Sequence, residues 1–495
     1  MLILFFLQVF LRVNQEKKTG ESLEKKAEEE NKKAVLEDLS EEKGVSQKRE
    51  KESILRVLLK TGDYKDYFHK KIVVAAKEPL KIQGGDEEYI LPAGKEAEFD
   101  IKSRILKTSR VCISPKEEGR IYVKSIKRSS GIPAYPGKLW IEKTKEGLLL
   151  VNEVGIEQYL CGVVNSEMSE GYPIEALKAQ AVCARTYAFH QKDVQALAAF
   201  HADMDDSTSY QVYMNQKENK KTSQAVRETT GEVLAYQGKL SDIFYFSTSC
   251  GATSTASEIW NGEGKRKYLT GKIQEKKEEE KSAEEFQKEE KFKEFLKKNT
   301  GGKKDEIKTW DSDSAWYRWE TKLSFSQIQK NLEEKLPECV TKYPENIKVK
   351  MKSGTYVSMP VQKIGKIGEV KVEKRGTGGI VTELKITGSE KTIRISTEFL
   401  IRKLLAPGEE IHRGDGQSVE GMELLPSAFF CLEKQEDGYC IFGGGYGHGT
   451  GMSQNGAGKM AQEGKTYKEI LSYYFNGCEI RSVPPGAAAS WNGGK

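Results

Sequence analysis

A chain of 495 residues with 37% hydrophobic and 9% aromatic residues can bury a core and has room for more than one domain, which excludes disorder throughout. Charged residues make up 31%, but 79 Lys+Arg against 74 Asp+Glu leave a net charge of only +5. That balance is too even to argue for nucleic acid as a partner.

In chain order, "MLILFFLQVFLR" (residues 1–12) opens with an apolar run shorter than the ~20 residues that span a bilayer, and it lacks a small-residue cleavage site. It reads either as the far end of a signal anchor or as the first element of a core. The anchor is preferred, because residues 13–52 are almost entirely charged and polar, as expected of a disordered, solvated stalk. From residue 53 to 147 short β-type runs such as "KIVVAA", "EYILPAG" and "GRIYVKSI", broken by Gly, Pro and Asp, predict a β-rich platform. A helix is predicted next in "NSEMSEGYPIEALKAQAVCARTYAFH" (165–190). Pro173 fits its first turn, and Leu177, Ala181, Ala184 and Ala188 recur at helical spacing on a small-residue face.

Residues 272–304 are rich in Lys and Glu and read as an exposed helical insertion. From 347 to about 425, alternating apolar and polar residues with "GTGG" predict a sheet with hairpins, forming an extra β lobe. The Gly-rich stretch "FGGGYGHGTGMSQNGAGKMAQEG" precedes a closing helix, for which Thr466 and Glu469 make a capping box and Asn476-Gly477 a stop. Residues 481–495 are expected to be a flexible tail. Eight cysteines, at 112, 161, 183, 250, 339, 431, 440 and 478, form no close CxxC pairs, and the sequence leaves open whether they are free or paired.

Four constellations could carry chemistry. Glu167 follows the apolar "YLCGVV" and is read as lying on a polar turn. Burial there raises a carboxyl pKa toward what a general acid needs, while the positive end of the following helix lowers it. In "DDSTSYQVY" (205–213), Asp206, Thr208, Gln211 and Tyr213 offer polar groups and an aromatic face. His201 and Asp203 precede them, but HxDxDD matches no specific metal loop, and a solvated acidic turn is the simpler reading. "FYFSTSCGATSTASEIW" (244–260) is a hydroxyl-rich turn with Ser247 and Ser249, able to hydrogen-bond sugar hydroxyls. "GGGYGHGTGMSQNGAG" (443–458) frames His448 with glycines and lacks the ending of a phosphate loop. A Cys250–His448 thiol pair is conceivable, but nothing in the sequence brings the two together.

Taken in order, "YLCGVVNSEM", "EALKAQAVCARTYA", "DDSTSYQVY", "STSCGATSTASEIW", "YRWE" and "GYGHGTGMSQNGAGKMA" closely resemble the motif series of the stage II sporulation protein D (SpoIID) family, over most of the chain from about 148 to 480. The resemblance implies an α+β fold: a β-rich platform with short catalytic helices forming a groove, plus the charged insertion and the extra β lobe. It implies an extracytoplasmic, membrane-anchored lytic transglycosylase that cuts peptidoglycan glycan strands stripped of stem peptides during forespore engulfment, beside an amidase and a peptidase. Glu167 would be its one acid. Gln180, Arg185, Tyr187, Asp206, Thr208, Gln211 and Tyr213 match motif positions expected to shape the groove, joined by Ser247, Ser249, His448, Ser453 and Gln454.

Some relatives carry Cys and His zinc ligands around the second cluster. Asp205, Ser209 and Tyr210 stand there in this chain, so neither zinc nor another cofactor is expected. Phe246 occupies a position where many members have His, and Cys250 one where Gly is usual. A related branch resembles amidase enhancers, which bind wall glycan or a hydrolase without cutting, and that reading stands as the alternative.

Overall fold

The computed structural model describes residues 53–483 apart from 63, 109, 216–217, 261–265, 277–280 and 302–304. The expected anchor (1–12) and stalk (13–52) lie outside the described residues.

The first part is built on two sheets. A seven-stranded sheet runs in the order Met204–Asp205, Ile54–Leu58, Leu148–Gly155, Lys138–Lys143, Arg110–Pro115, Leu80–Gly84 and Glu87–Leu91. Its neighbours are antiparallel except for the short parallel pairing of Val57 and Leu58 with Met204 and Asp205. A four-stranded sheet is made of Glu96–Asp100, Lys71–Ala76, Ile121–Val123 and Ala134–Tyr135. Alternation explains both sheets: in "KIVVAA" Ile72 and Val74 face the core, whereas Lys71 is exposed. Leu148–Gly155 is buried along nearly its whole length, as a strand covered on both faces must be.

The helices follow as α1 (Ile156–Glu167), α2 (Ile174–Val194), α3 (Lys220–Glu228), α4 (Ala256–Trp260), α5 (Glu289–Lys298), α6 (Phe325–Lys342), α7 (Glu398–Leu404), α8 (Gln454–Gln462) and α9 (Tyr467–Tyr474). Helix α2 is the hub, packing against α1, α3, α8 and α9. Its buried residues include Ala176, Ala179, Ala181, Ala184 and Ala188, so four neighbours can approach its backbone closely. Pro173 occupies its N-cap position, and the predicted Thr466/Glu469 capping box is present at α9. Residues 481 and 482, expected in a tail, belong instead to strand Glu479–Ser482, which pairs with Glu232–Ala235.

Two five-stranded sheets form the later part. One orders Ser418–Val419, Ile411–Arg413, Trp319–Ser324, Gly438–Gly443 and Phe430–Lys434; the other orders Tyr356–Ser358, Ile347–Lys350, Thr392–Ser396, Val381–Gly388 and Ile367–Arg375. Together with α6 and α7 they enclose a shared core around Leu323, Ile328, Leu384, Ile395 and Ile401. The Lys/Glu-rich segment 272–304 departs from an exposed helix in two respects: Lys272–Ile273 and Lys281–Ser282 pair as short strands, leaving only α5 as α-helix among the described residues, and α5 has a buried face. Lys291, Lys297 and Lys298 of α5 face solvent, but Phe292, Phe295 and Leu296 are buried against Phe429, Ile380 and the 250–252 turn. Each such side chain removed from water contributes about 1.5–3 kcal/mol, enough to hold this helix to the body.

Distant motifs are joined by a small feature, the parallel pairing of Tyr245–Phe246 with Met452–Ser453. Gly451 (φ +80°) makes it possible, since a Cβ there would lie 2.0 Å from the carbonyl oxygen of Phe244.

Candidate active site around Glu167

Glu167 is the last residue of α1, not part of a turn. The apolar run "YLCGVV" is that helix's buried face, with Tyr159, Leu160, Val163 and Val164 in the core. The consequence is electrostatic. The carboxyl sits at a helix C-terminus, where the carbonyl end of the helix disfavours a negative charge, and α2 begins only at Ile174.

Three segments close around this half-buried carboxyl. The backbone N–H of Val212 donates to Oε1 at 3.0 Å, and Gln454 Nε2, from the first residue of α8, donates to Oε2 at 3.3 Å. The Tyr245 hydroxyl lies 3.5 Å from Oε1 and donates to Gln211 Oε1 at 2.9 Å. That phenol's single proton is shared between the two acceptors, and its donation toward Glu167 favours the carboxylate. Burial raises the Glu167 pKa and outweighs the bonds from Val212, Gln454 and Tyr245, which lower it. None of these partners is an acid or a base. Gln454 Nε2 also lies 3.5 Å from Gln180 Oε1, so the wholly buried Gln180 backs the amide that touches Glu167.

The remaining predicted residues divide into two groups. Tyr187, Thr208 and His448 line a cavity of about 830 Å³ together with Tyr245, a residue the sequence does not single out, which joins that wall to Glu167. The others are turned inward. Arg185 is completely buried and grips Glu157 with two bonds of 2.7 and 2.6 Å, giving its other donors to the carbonyls of Glu232 and Val226. Asp206 accepts from Arg128 at 2.5 Å and from the Lys60 N–H at 3.0 Å, and burial, opposed by the Arg128 charge, pushes its pKa up to about 6. Tyr213 packs on Tyr159 and Tyr135 over Gly162 and donates to Asn152 Oδ1 at 3.1 Å. The Ser247 carbonyl accepts from the Asn455 N–H at 3.0 Å. Ser249 donates to the Ala252 carbonyl, and Ser453 caps α8 by accepting from the Gly456 N–H.

His448 is fixed as a neutral ring. Nδ1 accepts from the Thr450 N–H at 3.2 Å, so Nε2 carries the hydrogen and donates to the Tyr245 carbonyl at 3.0 Å. Burial pushes its pKa down to about 4, consistent with that arrangement. Cys250 is buried against the Ala252 carbonyl, with burial pushing its thiol up to about 11. A thiol held neutral beside no free base is not an activated nucleophile. Among the described residues no three His, Cys, Asp or Glu side chains gather to hold a metal ion.

Besides Tyr245, a second participant escapes sequence reasoning. Asp311 is wholly buried and accepts from the Ser249 N–H at 3.0 Å and from Ser453 Oγ at 2.5 Å. It thereby fixes the N-terminus of α8, the residue before Gln454, and burial pushes its pKa up to about 7. Its setting in "WDSDSAW" looks like an ordinary polar loop.

Comparison with known proteins bears on the family of the chain. A family model described as "Stage II sporulation protein" matches residues 144–236, which carry Glu167, Gln180 and Gln211. An uncharacterized protein of Brachyspira hyodysenteriae is 31% identical over 349 residues, covering 70% of this chain and 72% of its own. The stage II sporulation protein D of Bacillus subtilis (strain 168) is 28% identical over 345 residues, 67% of this chain and 75% of its own. The chain belongs to the SpoIID/amidase-enhancer family. The other branch of this family is represented by the amidase enhancer of Bacillus subtilis (strain 168), 26% identical over 330 residues, which are 65% of this chain and 40% of that longer protein. A second model, of a domain of unknown function, matches residues 341–451, so the SpoIID-type core here carries a lobe with its own family signature.

Proposed function

We propose that this SpoIID-family chain is an extracytoplasmic lytic transglycosylase that cuts peptidoglycan between N-acetylmuramic acid and N-acetylglucosamine, with Glu167 as its single acid–base group. The observation that carries the reading is the setting of Glu167: a carboxyl with a burial-raised pKa, held only by neutral donors, one of which, Tyr245, lines a cavity wide enough for sugar rings. Glycosidases that use water or a covalent intermediate rely on two carboxylates. With one, the same group must give a proton and take another. Protonated Glu167 donates to the glycosidic oxygen as its bond to the anomeric carbon breaks. The resulting carboxylate removes the proton from the muramic C6 hydroxyl, whose oxygen attacks the anomeric carbon. The product is a 1,6-anhydro end, no water is consumed, and Glu167 is protonated again.

In this scheme Gln454 and Gln180 orient the carboxyl, Gln211 and Tyr245 tune it, and Tyr187 and Thr208 meet the strand. Arg185, Asp206, Tyr213, Ser249, Ser453 and His448 hold the frame, and Ser247 ties the 244–250 segment to α8. Denuded strands are the substrate, sporulation and engulfment the setting, and a cell-wall amidase and peptidase the partners, with residues 1–12 as the membrane anchor. A second reading, a wall-binding amidase enhancer that does not cut, is favoured by the match to the relative of that name.

Incubation of the purified chain with denuded strands should yield 1,6-anhydromuramic ends by mass spectrometry, lost in Glu167→Gln. Binding without cleavage, together with stimulation of an added amidase, would replace this mechanism with the second reading.

A further inference from the structure

The lobe matched by the domain of unknown function contributes directly to the cavity lined by Tyr245, the residue that touches Glu167. Tyr343, at the end of α6, and Phe399, on α7, line it together with Trp260 and Tyr187 of the core. Trp260, Tyr343 and Phe399 are 44%, 38% and 40% exposed. Of the large hydrophobic side chains so exposed among the described residues, only Tyr89 is another aromatic, so three of four converge on one cavity. The rings of Tyr343 and Phe399 meet edge to face with centroids 6.3 Å apart. A folded protein leaves such surface open to water when something else covers it.

Backbone strain adds an independent observation. Thr397 has φ +72° and ψ 139°, a conformation a β-branched residue adopts only when its surroundings impose it. It stands at the N-cap of α7, yet its side chain makes no capping bond, and the residue lines the cavity instead. Thr397 is the one residue between strand Thr392–Ser396 and α7, which carries Glu398 and Phe399. Polar groups of Asn346, Thr397 and Thr208 intersperse the aromatic surface. Flat apolar rings alternating with hydroxyls and amides match the two faces and the edge of a pyranose.

We propose that this lobe supplies a saccharide subsite, in which Tyr343 and Phe399 stack on sugar rings of the same glycan strand that reaches Glu167. The proposal rests on the glycan-cutting reading for the identity of its ligand, and it assigns the lobe the task of gripping the strand away from the scissile bond.

The test compares the full chain, the double variant Tyr343→Ala/Phe399→Ala and the variant Phe399→Trp, with thermal unfolding as a check on folding. The probes are size-fractionated denuded glycan strands, with KM and kcat read from anhydro ends, and Kd from titration calorimetry on the Glu167→Gln background. The double variant should raise KM and Kd about tenfold, a 1.4 kcal/mol loss, and leave kcat unchanged, while Phe399→Trp should keep both near the parent values. Unchanged KM and Kd in a folded double variant would overturn the subsite while leaving the cutting activity in place. No cleavage by the parent chain, with strand binding that the double variant weakens, would support the subsite and remove the transglycosylase reading instead. No binding of strands by the Glu167→Gln chain would overturn the subsite.

Discussion

Replacing Asp311 by asparagine offers a sharp test of how the site is braced. The native chain keeps this carboxyl fully buried, with the Ser249 N–H and the Ser453 hydroxyl as its donors, and burial moves its pKa from 3.8 to about 7. Between pH 4 and 7 the folded chain therefore holds a proton that the unfolded chain has released. Stability falls as pH rises through that window, and the loss is complete above it. At 1.36 kcal/mol per pH unit the loss from this one group is about 4 kcal/mol. The amide of the Asp311→Asn variant remains neutral and its oxygen still accepts from both donors, so the variant escapes the penalty. Urea unfolding of parent and Asp311→Asn at pH 4.5 and 8, roughly either side of the window, should show the variant gaining on the parent by several kcal/mol at the higher pH. A stability difference between the two proteins that does not change with pH would refute the reasoning. It would mean that Asp311 is ionised in the native state at both values.

Further outcomes follow from the same geometry. Tyr245→Phe removes a contact that lowers the Glu167 pKa, so the alkaline limb of the pH–rate profile, where the acid loses its proton, should move to higher pH; a shift to lower pH would contradict this. Arg185→Leu should cost about 3 kcal/mol of stability in denaturant melts, since it removes both guanidinium bonds to Glu157 and the guanidinium donor to the Glu232 carbonyl from the interior; a change under about 0.5 kcal/mol would place Arg185 outside the frame. Cys250→Ala should keep cleavage of glycan strands within about twofold, because the thiol is neutral and enclosed; loss of activity in a folded variant would reopen thiol chemistry.

What can be read from the sequence is what neighbours decide. The small-residue face of α2, the placement of Pro173 and the capping box of α9 depend on residues three or four apart, and each is present. The helical state of "YLCGVVNSE" escapes such reading because an apolar run of that length suits a strand equally well, and only packing against Tyr213 and the sheet separates the two. Arg185 and Asp206 resemble surface-reaching polar residues until Glu157 and Arg128 are seen to meet them in the interior. Asp311 is illegible for the same reason: its donors lie 62 and 142 residues away. Phe292 and Phe295 are hidden in a field of Lys and Glu that describes only one face of their helix.

The parallel pairing of Tyr245–Phe246 with Met452–Ser453 also sets a time order. Gln454, just beyond that pairing, reaches Glu167 across 287 residues. Closing so long a loop carries an entropy cost that local helices do not face, and the junction cannot form before residue 454 has been made. A chain still emerging from the ribosome can have α1 and its carboxyl, but no Gln454 and no His448 ring behind Tyr245. Completion of the surroundings of Glu167 thereby waits on the synthesis of α8, and until then the nascent chain holds that carboxyl without its amide partner.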